Sequence, residues 1–352
     1  MAVTMKEVAR RARVSTATVS RVFNDSNLVG EETRERVWTV AKELRYVPNP
    51  VGRSLSTRRT DAIGLLLPDL YGEFFSEVIR GADQTVQQHR YHLLISSSHN
   101  ERSEIEAALQ MMHGRVDGLV IMTPHIDAQT LHANLPKSLP VVLLNCPVAG
   151  NAFDSMSIDN YSGAYGMVRH LLAHGHRRIA IIKGIERNYD AIERLRGYRA
   201  AITEAGIQAE DLIEVSGDFS EASGYKAVET ILGLSPRPSA IFASNDSMAI
   251  GALSALKIAK VQVPGEIALV GFDNIPVGNY VKPTLTTVNV DISNLGVQAV
   301  TRLLHAVREK NSHTKHQVIL PTTLIIRESC GCPVEERSQY SAKGGDATAS
   351  NN

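Results

Sequence analysis

The feature that most constrains the fold is an alternation of short apolar runs with longer helix-like stretches, from about residue 60 to residue 270. Short runs without polar residues at alternate positions are typical of strands that are buried on both faces of a parallel sheet. The pattern therefore predicts an α/β protein in which helices connect the strands. The predicted strands are Ile63–Leu67, Tyr91–Ile95, Leu119–Met122, Val141–Leu144, Arg178–Ile182, Leu212–Val215, Ala240–Ala243 and Ile267–Val270.

The strands form two series, and the two halves look like a distant duplication. We predict two doubly wound parallel-sheet subdomains with a cleft between them, joined by crossovers near Asn160, Asp291 and Pro321. The predicted boundaries are 61–160 and 292–320 for the N-subdomain, and 161–291 and 321–332 for the C-subdomain. The predicted helices are Phe75–His89, Glu101–His113, Tyr165–His174, Glu193–Ala205, Ser223–Leu232 and Met248–Ala259.

Several classes of protein are disfavoured by simple features of the chain. No apolar run approaches the roughly 18–20 residues that a membrane span needs. Met1–Arg13 is basic and has no apolar region behind it, so no signal peptide is readable and we expect a cytoplasmic protein. The odd count of three cysteines fits a reducing compartment better than a disulfide framework.

Cys330-Gly331-Cys332 could bind a metal ion, but no third or fourth ligand stands at a usual spacing from it. We also expect the histidines, including the group at His170–His176, to be surface residues. The sequence therefore predicts neither a metal site nor a cofactor.

The net charge of zero conceals an asymmetry. Residues 1–60 hold 12 Lys/Arg and 6 Asp/Glu, and since the chain holds 37 of each class, the remainder holds 25 basic and 31 acidic residues. A small basic head on an acidic body is typical of a phosphate-binding module joined to a sensor, although a compact head can also be basic by chance.

The basic head, residues 1–48, has the pattern of three short helices. Thr4 and Glu7 have the spacing of a capping box, and Ser15 is placed to cap a second helix from Thr16 to about Asn24. A third helix is predicted from about Glu31 to Arg45, and two helices joined by a three-residue turn and supported by a third make a helix-turn-helix. The predicted inward-facing residues are Val8, Ala9, Ala12, Val19, Val22, Phe23, Val37, Val40, Ala41 and Leu44.

The second helix is the candidate for DNA recognition. Its outward face carries short polar side chains and a single long one, Arg21, which can form two parallel hydrogen bonds to guanine. The alternative is an ordinary solvated face of a three-helix bundle. The outward-facing residues are Thr16, Ala17, Thr18, Ser20, Arg21 and Asn24.

At this point the chain closely resembles the LacI/GalR family of bacterial repressors. The resemblance is carried by Thr4–Ala9, Val14–Asn24, Tyr46–Asn49 and Arg53–Leu55, and it continues with few gaps to about Cys332. It implies a transcriptional regulator, which we expect to be a repressor. Such a protein binds a pseudo-palindromic operator as a homodimer and responds to a small ligand.

The resemblance also implies roles for residues of the head. Thr16, Ala17 and Arg21 occupy the base-reading positions, and Ala17 can offer only a methyl group or space. Ser15, Thr18 and Asn24 look like groups that face the phosphates or cap the helix.

The segment 49–60 resembles the family's hinge helix, which folds on the operator and inserts a leucine, here Leu55, into the minor groove while Arg53 lies near the backbone. Gly52 departs from the family pattern, because glycine costs roughly 1 kcal/mol in a helix relative to alanine. We predict a hinge that folds only on the operator; a flexible linker is the alternative.

Polar residues that follow the predicted strands mark a ligand site, because open α/β sheets bind ligands outside the carboxyl ends of their strands. Asp159, Asn245 and Asp273 stand at such ends, and Arg194 lies near a helix start. Carboxylates, amides and a guanidinium suit the hydroxyls of a sugar. Asp159 could instead cap the following helix, and Asp246 is expected to be such a cap. The aromatic candidates for the same site are Phe74, Phe75 and Phe219.

Taken together, the residues and the resemblance predict a DNA-binding repressor controlled allosterically by a small ligand, with a sugar as the expected effector and either sign of response open. An enzyme is disfavoured because no nucleophile elbow, Walker loop or dinucleotide fingerprint is found. Periplasmic sugar-binding proteins share the body plan of 61–332, but they carry a signal peptide and lack a helix-turn-helix. The tail 333–352 is rich in Ser, Ala, Gly and Asn and has no leucine heptad, so we expect a disordered tail and a dimer.

Overall fold

The structure is a computed structural model, and its contacts divide the chain into two compact units. The first is Met1–Asp61 with Gly114–Asp117, and the second is Ala62–His113 with Gly118–Asn352. The residues that the structure describes are 3–23, 28–46, 59–99, 101–123, 128–136, 138–146, 152–309, 313–335 and 337.

The described residues of the first unit form three helices packed around a small apolar core. Helix α1 is Met5–Ala12, α2 is Thr16–Phe23 and α3 is Glu31–Glu43. Arg13, at the end of α1, has a φ of 53°, and this left-handed residue turns the chain towards α2. The fully or nearly buried residues of this core are Val8, Ala9, Ala12, Val19, Val22, Val37 and Ala41.

Helices α1 and α2 begin where predicted, but only α2 is capped by the predicted side chain. Ser15 accepts a hydrogen bond from the backbone N–H of Thr18 at 3.0 Å, as an N-cap residue should. The capping box of α1 was a wrong prediction, because Thr4 lies at the N-cap position without a side-chain cap hydrogen bond. The Glu7 carboxylate pairs with Arg10 one turn along the helix instead.

The first half of the second unit is built on a six-stranded parallel sheet. Its strand order is β11-β5-β4-β3-β1-β2, and every neighbouring pair is parallel. The strands are β1 Ala62–Leu67, β2 His92–Ser97, β3 Gly118–Ile121, β4 Val141–Leu144, β5 Asp154–Ile158 and β11 Gln317–Leu320. The associated helices are α4 Glu73–Gln88, α5 Arg102–Met112, α6 Ala128–Asn134 and α11 Ile292–Glu309.

The long helix α11 packs closely against α4, and glycines allow this approach. A Cβ added at Gly81 would lie 1.9 Å from the carbonyl oxygen of Ser293. A Cβ at Gly296 would lie 2.2 Å from the carbonyl oxygen of Val78. Both separations are far below van der Waals contact, so larger residues at either position would push the helices apart.

The other half of the second unit is a four-stranded parallel sheet with the order β7-β6-β8-β9, next to a two-stranded antiparallel ribbon of β10 and β12. The strands are β6 Ile179–Ile182, β7 Ile213–Val215, β8 Ala240–Ala243, β9 Ala268–Val270, β10 Thr287–Asn289 and β12 Thr323–Ile325. The helices are α7 Asn160–Ala173, α8 Tyr189–Glu204, α9 Glu221–Leu232 and α10 Asp246–Ile258.

The chain passes between the two sheets three times: after β5, after β10 and after β11. Repeated crossing ties both halves into one body in which the two sheets can move about short connections. The predicted α/β class, with a helical head and two doubly wound parallel sheets, is confirmed.

One predicted strand has a different environment from the one that its sequence suggested. The apolar run Tyr91–Ile95 predicts a buried strand, but β2 lies at the edge of its sheet, where Leu94 and Ile95 are 37% and 39% exposed. The central strand β1 is buried along its whole length, as predicted. Among the described residues, no helix is both long and apolar enough to span a bilayer.

Candidate functional site

The outward face of α2 is the first candidate site, and it lies in the head unit. Ser15, Thr16, Ala17 and Arg21 are exposed, whereas Thr18 is half-buried. Ala17 and Arg21 are four residues apart and therefore lie on the same side of the helix, one turn from each other. This side of α2 offers one long cationic donor next to a short methyl-bearing position.

Ser15 and Thr18 are engaged with each other at the start of α2. Their hydroxyl oxygens are 2.9 Å apart, and Ser15 also accepts the Thr18 N–H. Both residues therefore order the helix start. The other predicted DNA-contacting residues, Asn24, Arg53 and Leu55, lie outside the described residues.

The second candidate site is a cavity of about 220 Å³ in the second unit, at the carboxyl ends of the strands of both sheets. Its polar lining residues come from both halves of the body, so the site exists only where the two sheets face each other. The lining residues are Pro68, Asp69, Tyr71, Gly72, Glu73, Phe74, Phe75, Met122, Asn145, Ile185, Asn188, Asp190, Arg194, Asp218, Phe219, Ser220, Glu221, Asn245, Ser247 and Asp273.

Arg194, on α8, is the centre of a buried polar network at the floor of this cavity, although only 3% of the residue is exposed. Its Nε donates to Asn160 Oδ1 at 2.8 Å, and its Nη1 donates to the carbonyl oxygen of Ser244 at 2.6 Å. Its Nη2 lies 3.0 Å from Asp273 Oδ1, and the guanidinium stacks 3.8 Å from the centroid of the Phe272 ring. Every side of this guanidinium is therefore fixed by a neighbour.

Asp273 retains hydrogen-bonding capacity in this arrangement. The Arg194 contact is close enough for an ion pair but is not aligned as a hydrogen bond, so Asp273 Oδ1 is a buried acceptor without a donor among the described residues. This oxygen is paired with the Arg194 guanidinium, and Asp273 is one of the residues that line the cavity. A carboxylate at this place is suited to accept a hydrogen bond from a ligand hydroxyl.

Asp190 is held at the other side of the cavity by two amides. Asn160 Nδ2 donates to Asp190 Oδ1 at 2.7 Å, and Asn145 Nδ2 lies 3.4 Å from Asp190 Oδ2. Asn145 Oδ1 accepts the backbone N–H of Ile158, so its amide is oriented by the strand β5. Asn160 thus connects Asp190 to Arg194 and fixes the spacing of the two charged groups.

Burial raises the pKa values of the carboxyls in this region. Burial raises the pKa of Asp273 to about 6, although the Arg194 guanidinium opposes the shift. Burial, reinforced by the charge of Asp273, raises the pKa of Asp246 to about 8. Burial also raises the pKa of Asp190, against the attraction of Arg194. Arg194 opposes the rise in the pKa values of Asp190 and Asp273, and Arg327 opposes the rise for Asp246.

Asn245 takes the helix-capping role that the sequence suggested for Asp246, and it also lines the cavity. Asn245 is the N-cap of α10: its Oδ1 accepts the backbone N–H of Met248 at 2.9 Å, and its Nδ2 donates to the carbonyl oxygen of Phe219 at 3.0 Å. Asp246 is fully buried one residue later and accepts hydrogen bonds from the Thr287 hydroxyl and the Ile275 N–H. The prediction that Asp246 caps the helix was therefore wrong.

Aromatic side chains form the apolar part of the cavity. Phe219 has a φ of 74°, which is unusual for a residue with a bulky side chain, and its ring packs directly on Gly184. A Cβ at Gly184 would lie 2.2 Å from this ring. Phe74 and Phe75, at the start of α4, meet edge to face with centroids 5.4 Å apart.

Glu73 connects the two halves across the cavity mouth. Its Oε2 accepts the backbone N–H of Val277 at 3.0 Å, although the two residues are 204 positions apart in the chain. This contact joins α4 on the six-stranded sheet to the loop after β9 on the four-stranded sheet. A direct hydrogen bond thus joins the two halves at Glu73, a residue that lines the cavity.

The structure brings six of the seven predicted ligand residues into one cavity: Phe74, Phe75, Arg194, Phe219, Asn245 and Asp273. Asp159 is the exception. Its Oδ1 accepts the backbone N–H of Ser162 at 3.0 Å and caps α7, so the geometry supports the capping alternative.

Sequence reasoning missed Asp69, Asn145 and Asp190. Asn145 follows β4 directly and Asp69 follows β1 after Pro68, so the rule of strand ends would have found them had it been applied to these two strands. Asp190 lies in the first turn of α8, where it resembles an ordinary helix-start acid, and only its distance from Asn160 reveals its place in the network.

Comparison with known proteins agrees with this division of the chain. Residues 4–49 match the family model of bacterial regulatory proteins, lacI family, and residues 168–330 match the periplasmic binding protein-like domain. The chain is 38% identical over 330 residues to the HTH-type transcriptional repressor PurR of Erwinia tasmaniensis, covering 93% of this chain and 96% of the relative. The Escherichia coli O1:K1 / APEC PurR is likewise 38% identical over 331 residues, with the same coverage of both chains.

Solved structures give the same result. The lac repressor dimer bound to operator and the anti-inducer ONPF superposes with a TM-score of 0.82 at 29% identity, covering 94% of this chain and 99% of that one. The transcriptional regulator CelR–cellobiose complex has a TM-score of 0.69 at 30% identity, covering 93% and 99%. A ribose-bound regulator from Enterococcus faecium has a TM-score of 0.70 at 27% identity, covering 76% and 98%. The chain belongs to the LacI family of bacterial regulatory proteins and is a DNA-binding transcriptional repressor with an allosteric ligand-binding domain.

Proposed function

We propose that the effector of this repressor is a small polyhydroxylated molecule of the sugar class, which binds in the cavity around Arg194 and Asp273. The observation that carries the proposal is a cavity lined by the ion pair of Arg194 and Asp273 together with further carboxylate and amide side chains. The size of the cavity, about 220 Å³, suits a monosaccharide-sized ligand.

The chemistry of the lining supports a sugar. Each sugar hydroxyl donates one hydrogen bond and accepts others, so a sugar site needs carboxylates and amides placed side by side. Asp190 and Asp273 supply acceptors, and Asn145 and Asn245 supply amides. The Phe219 ring offers a flat apolar surface for the carbon face of the ring. Cellobiose and ribose are named in two of the similar structures.

We infer that the cavity is a binding site without catalysis. A hydrolytic site would pair an activated nucleophile with a base, or two carboxyls with separate roles. Here Asp190 and Asp273 are each held by Arg194 or by an amide that Arg194 positions, which is the arrangement of a recognition site. The named relatives are repressors.

On the DNA side, we propose that a homodimer places α2 of each head in the major groove of a pseudo-palindromic operator, in the cytoplasm. Thr16, Ala17 and Arg21 would read bases, and Ser15 and Thr18 would lie near the phosphates. The hinge 49–60, with Leu55 as the minor-groove wedge and Arg53 at the backbone, stays a prediction from the sequence.

The homodimer is supported by the surface of the second unit. The edge strand β2 exposes Leu94 and Ile95, and α5 beside it exposes Met111 with 47% accessibility. Exposed edge strands with apolar side chains pair with other chains unless they are covered. A similar structure is named as a dimer bound to operator.

The effector is tested by a thermal-shift screen of the full chain with monosaccharides, disaccharides, sugar phosphates and nucleobases. A ligand at 100 times its Kd stabilises the protein by about 2.7 kcal/mol, which is a shift of several degrees. Asp273→Asn should remove the shift produced by the best sugar, and Asp159→Asn, outside the cavity, should retain it. A shift with a nucleobase alone would contradict the sugar class and keep the cavity as the effector site.

Base reading is tested by Arg21→Ala. We expect a loss of roughly 1–3 kcal/mol against the best operator and a relaxed preference at one base pair of each half-site, because a bidentate contact to guanine would be lost. Lys42→Ala on α3 removes the same charge away from α2 and serves as the matched control. Binding to a library of operators gives both readouts, and an equal loss on all sequences would make Arg21 a phosphate contact.

A further inference from the structure

We propose that His170, Cys330 and Cys332 form a binding site for a thiolate-seeking d¹⁰ cation, Zn²⁺ or Cu(I). The Sγ atoms of Cys330 and Cys332 are 3.0 Å apart, and Cys332 Sγ lies 3.1 Å from His170 Nε2. All three ligand atoms lie within 4.8 Å of one another, so one ion can contact them together.

The fold builds this cluster from two distant parts of the chain. His170 is on the last turn of α7, whereas the two cysteines belong to the segment that follows β12, 162 positions later. Gly331 has a φ of 79°, a conformation that favours glycine and turns both sulfurs towards the same side. The sequence therefore supplies the Cys-Gly-Cys pair, and the tertiary structure supplies the imidazole.

Burial supports an ion-binding role. Cys330 and Cys332 are 3% and 1% exposed, and His170 is half-buried. The sulfurs are thus shielded from bulk solvent while the imidazole provides an approach from the surface. None of the three residues lines the effector cavity, so the cluster is a separate site.

The ligand set selects the kind of ion. Two thiolates and one imidazole are soft to borderline ligands, which prefer Zn²⁺ or Cu(I) over Mg²⁺ or Ca²⁺. Zn²⁺ would take these three ligands and a water molecule in tetrahedral geometry. The sulfurs would then separate to about 3.7 Å, since Zn–S bonds are about 2.3 Å long, and this needs only a small rotation of each side chain. Both thiols lose their protons on binding.

A Cys330–Cys332 disulfide is the competing use of the same sulfurs. It would involve the two thiols alone and would leave the close approach of His170 Nε2 without a role. The metal site accounts for all three groups. Because it joins the end of the body to α7, and because α7 begins at Asn160 in the effector network, a bound ion would hold this helix in place.

A second group on the surface, His305, Glu309 and His313, could also collect metal ions and must be controlled for. His305 and Glu309 are one turn apart on α11 and are exposed, and they include no sulfur. His313 already contacts Asp154 at 2.6 Å. Any measurement of metal binding is therefore best made in a His305→Gln background.

The test is a titration of the reduced full-length His305→Gln protein with Zn²⁺, Co²⁺ and Cu(I). We expect one ion per chain, an increased melting temperature, and a thiolate-to-metal charge-transfer band with Co²⁺. We expect Zn²⁺ binding to weaken in each of the variants Cys330→Ser, Cys332→Ser and His170→Gln. The loss should exceed about 10–100-fold, the range caused by replacing residues that only hydrogen-bond to a metal ligand. Tighter binding of Cu(I) than of Zn²⁺ would identify Cu(I) as the ion and would still support a metal site at these three residues.

The matched control is Cys146→Ser in the same background. Among the described residues, Cys146 belongs to neither group of His, Cys, Asp or Glu side chains that could hold an ion, so its replacement should leave binding unchanged. The Co²⁺ band is measured in the His305→Gln protein, which keeps all its cysteines. It therefore tests the site even if the cysteine variants do not fold. Three results would overturn the proposal. They are the absence of the Co²⁺ band, metal binding that the cysteine variants leave unaffected, and a Cys330–Cys332 disulfide whose reduction gives no metal binding.

Discussion

Raising the salt concentration from about 50 to 200 mM should weaken binding of the full-length repressor to its selected operator by about 10³–10⁵-fold. The reason is the basic head, which carries 12 Lys/Arg against 6 Asp/Glu within residues 1–60 while the rest of the chain is acidic. A dimer that neutralises roughly 6–10 phosphates releases as many condensed counterions, and salt opposes this release.

The measurement is fluorescence anisotropy of a labelled palindrome at several salt concentrations, with random DNA as the comparison. Sugar binding to the same protein is the internal control, because exchange of a neutral ligand in a buried cavity should change little with salt. An operator affinity that stays flat across this range would contradict the assignment of α2 and the basic head as the DNA-contacting surface.

Arg194→Ala should lower the free energy of unfolding of the second unit by about 3–5 kcal/mol. The variant removes the cation that lies 3.0 Å from Asp273 Oδ1 and breaks the hydrogen bonds to Asn160 and to the Ser244 carbonyl. The buried carboxyls of Asp190 and Asp273 would then lack the Arg194 cation. Leaving buried charges unpaired costs more than the loss of the hydrogen bonds alone. Urea unfolding followed by far-UV circular dichroism measures the effect.

Arg196→Ala is the matched control on the same helix. Arg196 pairs with Glu193 and its side chain is 62% exposed, so its removal should change stability by less than about 1 kcal/mol. An equal loss in both variants would mean that Arg194 acts through helix packing and not through the buried network.

The pH dependence of Arg194→Ala gives a second readout. Burial already raises the folded-state pKa of Asp273 to about 6, and loss of the guanidinium should raise this pKa further. A carboxyl with a raised folded-state pKa binds more protons in the folded state, so its contribution to stability is present at low pH and is lost as pH rises through that pKa. The destabilisation should therefore be smaller at pH 5 than at pH 8, and a constant loss would contradict the electrostatic explanation.

The sequence alone determined the parts of this protein that depend on local pattern. Continuous apolar runs such as Val141–Leu144 and Ala240–Ala243 became strands with the same bounds, because a buried parallel strand needs apolar residues on both faces. The head helices followed from Ser15 and the spacing of Val19 and Val22, which are local signals as well. The strand-end rule likewise selected Asn245 and Asp273, which lie in one cavity.

Position within a sheet was not encoded locally. The run Tyr91–Ile95 predicts a buried strand, as the neighbouring runs do, yet β2 lies at an edge and exposes Leu94 and Ile95. Strand order depends on which helix packs on which face, and that depends on contacts distant in sequence. The position of α11 is another example. It follows the strands of the four-stranded sheet in the sequence, yet it packs on α4, which precedes that sheet.

Side-chain partners across long separations were decided only by the tertiary structure. Asp159 and Asp190 are both acids at a helix start, but Asp159 caps α7, whereas Asp190 turns to the amides of Asn145 and Asn160. The sequence predicts His170 as a surface histidine, but the fold brings Cys332 Sγ within 3.1 Å of its Nε2. Hydrogen bonds and ion contacts form over about 3 Å in space without regard to sequence distance, so a motif search along the chain can find each member but not the pairing.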